Sequence, residues 1–296
     1  MRLGIIIGII LGAVSTIFIF LAFFSFYDVG KKLMSADNIA FFKDIIGPLA
    51  AGLGGAAAGA VMSVYAQKIN EKDKELDKLV LDYNSGVTNL LSQLNEMYTF
   101  REIAIVPFQN DFMRFISIPA LPLGAESRAN SQAMLNPVLL ELDCADLLNE
   151  VAMCEARYLA CLQNLKQRDR LYEECRQKIA DDESLFVSLF DLKNQLGPKR
   201  LKNLYVATEG YIKVLEESIF KHQELLKKLS GEAIPRLKAK RPDRPLIKTD
   251  IMEGANLDPL SPPVFASAAE LMAAVDAADS PRALAVRTWQ PKPYGH

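Results

Sequence analysis

Histidine is almost missing from this chain: His222 and His296 are the only two in 296 residues. A Ser-His or Cys-His nucleophile therefore has almost nothing to work with. Cysteine is sparse as well. Cys144, Cys154, Cys161 and Cys175 are the whole set, and none forms a C-x-x-C pair. That excludes the usual zinc and dithiol redox motifs. No G-x-x-x-x-G-K-[ST] loop, G-x-G-x-x-G, H-E-x-x-H or G-x-S-x-G occurs, so the common phosphate, dinucleotide, zinc-protease and hydrolase signatures are absent. A net charge of −2 selects no nucleic acid or other charged partner. An enzyme is not expected, and neither a cofactor nor a metal.

What the chain has instead is a pair of apolar runs near its start. Neither Leu3 to Tyr27 nor Ile45 to Ala66 contains a charge. Each is long enough for a helix to cross the hydrocarbon core, which takes about 20 residues. The first is dense in Leu, Ile, Val and Phe, too long for a signal-peptide core, and followed by no clear A-x-A site. The second is mostly Gly and Ala, a weaker inserter that depends on packing against another helix. Both carry small residues every four positions: Gly4, Gly8 and Gly12 in one, Gly47, Ala51, Gly55, Gly59 and Ser63 in the other. Such rows let helices approach closely. Lys31, Lys32 and Lys43 lie between the runs, while Arg2, Lys68, Lys72, Lys74 and Lys78 flank them. This bias predicts a hairpin, residues 1–66, with both termini in the cytoplasm of an inner-membrane, multi-pass protein.

The expected fold class is all-α, the hairpin continuing into a cytoplasmic helical domain at 67–231. Ile69, Leu76, Tyr83, Leu90 and Met97 recur every seven residues, with Val80, Val87 and Leu94 as companions. This seam predicts a heptad helix over 67–102, either a bundle helix packing on its own chain or a coiled coil between chains. Gly86 should weaken it locally. Residues 103–135 hold three prolines among Ile, Phe and Leu, with Asp111 and Arg114 the only charges up to Gly124. They predict a loop packed onto the bundle, or a docking patch. Asn136-Pro137 reads as a helix start, and apolar spacing continues through all four cysteines to about residue 180. The cysteines read as buried and structural. Further helices are expected at 184–196, stopped by Gly197-Pro198, and at 199–230, closed by Gly231. His222 falls on the apolar stripe of the last, as a core histidine does.

Residues 232–296 read as a basic, Pro-rich extended tail. Arg236, Lys238, Lys240, Arg241 and Arg244 are candidates for contact with anionic lipid. Ser267 and Glu270 predict a short helix at 267–279, and Trp289 lies in the final stretch.

This layout resembles small two-span effectors of bacterial anti-phage defence operons, such as those accompanying retrons. The resemblance covers the hairpin, Leu3 to Ala66, with its small-residue rows, and the helical domain after it. It implies a cytoplasmic domain that restrains a hairpin which oligomerises or perturbs the membrane when released. The expected partners are the membrane, further copies of the chain, and a cytoplasmic protein or protein–nucleic acid trigger. The alternative function is a passive membrane-anchored coiled-coil scaffold or adaptor.

Overall fold

A computed structural model describes residues 47–121, 130–180, 188–249 and 258–278, together with Ile17 and Asp44. The fold of these residues is all-α, without a strand. The chain divides into two compact units, Met1–Asp77 and Lys78–His296.

Helix α1, Gly47–Phe100, runs unbroken from the expected second span into the charged heptad region. Among the described residues no helix is long and apolar enough to cross a membrane. This corrects the spanning segment expected at 45–66, and with it the placement as a multi-pass inner-membrane protein with both termini cytoplasmic. The physical reason lies in the composition of α1. Glycine and alanine dominate its first turns and contribute little apolarity, and from Lys68 onward the same helix is charged. The other expected span, 3–27, lies outside the described residues.

In the second unit the heptad seam faces the chain's own core. Val80, Tyr83, Val87, Leu90, Leu94 and Met97 are all buried, so over this stretch α1 is a bundle helix. Gly86 is buried in this stretch. A Cβ at this position would lie 2.5 Å from Leu135 Cγ, so the missing side chain makes room for Leu135.

The apolar stretch after α1 is compact. A π-helical turn, Arg101–Ile105, leads into a 3-10 turn, Val106–Phe108, and a short helix α2, Arg114–Ser117. Met113, Phe115 and Ile118 are buried. The single helix expected from 136 to 180 is two: α3, Ser131–Glu141, and α4, Ala145–Ala180. Pro137 lies inside α3 rather than at its start. The orphan N–H of Ser131 at the start of α3 donates to buried Glu155 on α4, 2.9 Å away. The break falls at Asp143, a non-glycine residue with φ 55°.

Helix α5, Leu189–Leu196, opens with a capping box between Ser188 and Asp191. It stops at Gly197, whose φ of 75° suits glycine, and Pro198 begins α6, Pro198–Lys228. Gly231 does not cap α6. It sits within a second π-helical turn, Leu229–Ala233, which continues into α7, Ile234–Lys240. The expected extended tail therefore begins as helix. Helix α8, Ala268–Ala277, starts as expected, with Ser267 Oγ accepting from Glu270 N–H at 3.2 Å.

Two apolar clusters make the core. The larger joins α1, α3, α6 and α7 with the N-terminal part of α4. The smaller gathers Phe115, α5, α8, Phe265, the end of α4 and the start of α6. All four cysteines are free and buried, as expected.

Candidate interaction site

The predicted small-residue row lies in the first unit. Gly4, Gly8 and Gly12 lie outside the described residues. Gly47 and Ala51 have helical backbone in α1. Gly55, Gly59 and Ser63 are exposed on α1, and a Cβ at Gly52, Gly54, Gly55 or Gly59 would meet nothing within 4 Å. Larger apolar side chains on the same stretch are exposed too: Met62 by 69%, Tyr65 by 63%, and Val61, Val64 and Ile69 by 43–45%.

Two of the residues expected to contact lipid, Arg236 and Lys240, make contacts within the chain. Arg236 Nη1 donates to the carbonyls of Leu142 and Asp143, at 2.8 and 2.7 Å. Lys240 Nζ donates to Glu141 O at 3.0 Å and pairs with the Glu141 carboxylate at 2.6 Å. Together they cap the C-terminal end of α3, where unsatisfied carbonyls and the helix dipole both favour cations. Lys238 is exposed, and Arg244 Nε lies 3.9 Å from Asp243.

The C-terminal segment is instead gripped through its backbone by groups the sequence reading did not single out. Asn84 on α1 donates from Nδ2 to Pro245 O at 3.1 Å and accepts at Oδ1 from Ile247 N–H at 3.0 Å. Thr249 Oγ1 donates to Leu226 O, and Ser230 Oγ lies 2.6 Å from that hydroxyl. Arg101 donates to Asp258 O and to Glu216. Arg114 donates to Ser261 O at 2.6 Å and forks onto both oxygens of Glu209. Tyr205 Oη donates to Phe265 O at 2.6 Å. Both arginines are buried. A buried guanidinium must place its N–H groups on acceptors, and here backbone carbonyls supply many of them.

One signal for these groups was present. Arg101 extends the row Val80, Val87, Leu94 by seven residues, and Arg114 is one of two charges in an apolar stretch. A charge at an apolar position marks a buried anchor. Asn84 offers no such signal, because an asparagine on a half-buried helix face is ordinary.

Burial pushes the thiols of Cys154 and Cys161 up to about 11 and about 12, and raises Cys144 and Cys175 as well. His222 is fully buried; burial lowers it to about 4. Its Nδ1 lies 2.9 Å from Ser218 O and its Nε2 3.1 Å from Gln93 Oε1, so the neutral ring donates to one of these two acceptors. A cleft of about 490 Å³ opens beside Cys175, Gly197 and Arg200, where Glu174 and Lys199 also line it. Among the described residues no group of three or more His, Cys, Asp or Glu is placed to hold a metal. Comparison with protein-family models, curated proteins and solved structures returned no match to this chain.

Proposed function

We propose that this chain works by association, as a helical adaptor or scaffold, and that the Gly52–Ile69 stretch of α1 is the surface through which copies meet. The observation behind this reading is the bare apolar side of that helix. Met62 and Tyr65 are more than half exposed, beside glycines with open space around them. Contiguous exposed apolar surface commonly marks a contact with another molecule. Small residues let a second helix lie close, so that dispersion contacts accumulate along the row. The polar interior supports the same reading, because its arginines, histidine and cysteines serve packing and backbone anchoring. The scaffold reading needs only the helix surface.

Sedimentation of the full chain across the micromolar range is the test. We expect a concentration-dependent mass above that of the monomer. Combining Met62→Lys with Tyr65→Lys should abolish it, and a Ser63→Cys variant should crosslink to a second copy on oxidation. A parent chain that stays monomeric, or an association indifferent to the lysine pair, would overturn the proposal.

A further inference from the structure

The heptad seam of α1 begins earlier than its buried part. Val80, Val87 and Leu94 form one buried row, and Tyr83, Leu90 and Met97 the other. Counting back by sevens along the same unbroken helix, the first row continues through Asp73, Ala66, Gly59 and Gly52. The second continues through Leu76, Ile69, Met62 and Gly55. Leu76 is half-buried and all the others are exposed. The exposed rows are graded in size, with glycines at the N-terminal end and large side chains from Met62 onward.

A second copy can lie on these rows in two directions. Parallel and in register, every residue faces itself. Glycine on glycine draws the helices together at one end, while Met62, Ile69 and Leu76 on their own copies hold them apart at the other. Two Asp73 carboxylates would also meet within the seam, where like charges repel. The compensation is one rim pair, Lys72 with the partner's Asp77, and exposed ion pairs contribute little. Antiparallel, each row faces the other row. The layers become Gly52 with the partner's Leu76, Gly55 with the partner's Asp73, Gly59 with the partner's Ile69, and Met62 with the partner's Ala66, and symmetry repeats them. Each layer sets a small residue against a larger one, so the helices keep an even separation and dispersion contacts run its whole length. Sliding by one heptad spoils this. One way sets Gly55 against the partner's Val80, which is already buried. The other sets Leu76 against the partner's residue 45, which precedes α1.

We propose that two copies of this chain pair antiparallel along Gly52–Leu76, the large residues of each helix seated over the small residues of the other. This rests on the reading that copies meet through α1, and it adds their direction and register. The face is self-complementary, so the interface is isologous and closes at two copies. Val64 lies off both rows and takes no part in the seam.

The test mixes two full-length variants, Gly59→Cys and Ile69→Cys, one of them lengthened by a tag so that products separate by size, under mild oxidation. The mixed disulfide should form. Neither variant should crosslink with itself, because equal positions then lie about 15 Å apart along the axis at 1.5 Å per residue, beyond the Cα spacing of about 4.4–6.8 Å that a disulfide spans. Sedimentation supplies a second readout. Gly59→Leu should weaken association at least roughly tenfold, because the new side chain meets the partner's Ile69 in a filled layer. Adding Ile69→Ala to that variant should recover most of the loss, and Val64→Lys should leave association unchanged. A parent that stays monomeric would overturn the association reading and this inference with it. An associating parent whose variants each crosslink with themselves but not with one another, or one that Gly59→Leu strengthens, would overturn the antiparallel pairing alone. So would a parent that Val64→Lys dissociates, because the seam would then lie on another face.

Discussion

Arg168 on α4 and Thr208 on α6 meet where the two apolar clusters divide, Nε lying 3.4 Å from Oγ1. Both are buried. On α4 the larger cluster ends at Leu165 and the smaller begins at Tyr172; on α6 the change falls between Tyr205 and Tyr211. The guanidinium fills this plane by donating to the carbonyls of Phe115, Ile118 and Pro119 and to Asp169. Thr208 Oγ1 lies 3.4 Å from Phe115 O and donates to it. One buried charge thereby fixes the chain around α2 against two helices.

Removing that charge should be severe. Arg168→Ala strands the carbonyls of Ile118 and Pro119, leaves Phe115 O with Thr208 alone, and leaves Asp169 without its cation. We expect a loss of about 3–5 kcal/mol, the usual cost of breaking one side of a buried pair. Thr208→Val keeps the shape and should cost about 1–2 kcal/mol. Urea unfolding monitored by circular dichroism gives both values. Near-equal stability of Arg168→Ala and the parent would contradict the assignment.

Gly86→Ala reverses the ordinary helix rule. Alanine in an exposed helix interior gains about 1 kcal/mol over glycine. Here the new methyl would press on Leu135, which is fully buried and has no room to swing. Overpacking of this kind costs about 1–3 kcal/mol, so the variant should be destabilised. Combining it with Leu135→Ala should recover part of the loss, as seen in the midpoints of a denaturation series.

Acid should unfold the domain partly through His222. Its folded value of about 4 lies below the ordinary 6.5, so between these values the unfolded chain binds the proton and the folded chain does not. Stability is then fully present above about pH 6.5 and lost as pH falls toward 4, by up to about 3 kcal/mol. His222→Gln should be less stable at neutral pH and should lack this part of the slope. Unfolding free energies measured from pH 7 to pH 4 decide it; parallel curves for parent and variant would count against a buried neutral histidine.

The cysteines should be nearly inert in the folded protein. All four are buried, and burial holds each thiol above its ordinary value. Thiolate is the reactive form. Ellman's reagent at pH 8 should report slow, substoichiometric reaction, with all four appearing promptly in denaturant. Fast reaction of two or more without denaturant would show that these sites open.

Much of the architecture was legible because periodicity is a local property. The all-helical class, the buried seam from Val80 to Met97, the cysteine stripe, the Gly197-Pro198 stop and the Ser267 cap all follow from spacing and capping chemistry within a few residues. Other features depended on partners far away in sequence. Pro137 lies inside α3 because the helix starts earlier, where Glu155 satisfies the Ser131 N–H. Gly231 does not end its helix, because the chain continues through a π-helical turn whose Leu229 carbonyl accepts from Tyr83. Arg236 and Lys240 look like a free basic run by composition, and only the approach of α7 to the end of α3 turns them into caps. The Ile45–Ala66 run satisfied a length rule for membranes, whereas α1, which holds its residues from Gly47 on, is too rich in Gly and Ala and too soon charged. Sequence alone determined which faces are apolar and, at the Ser267 cap, where α8 starts. Tertiary structure decided what each polar group answers to, because a hydrogen bond is settled by geometry in space and not by distance along the chain.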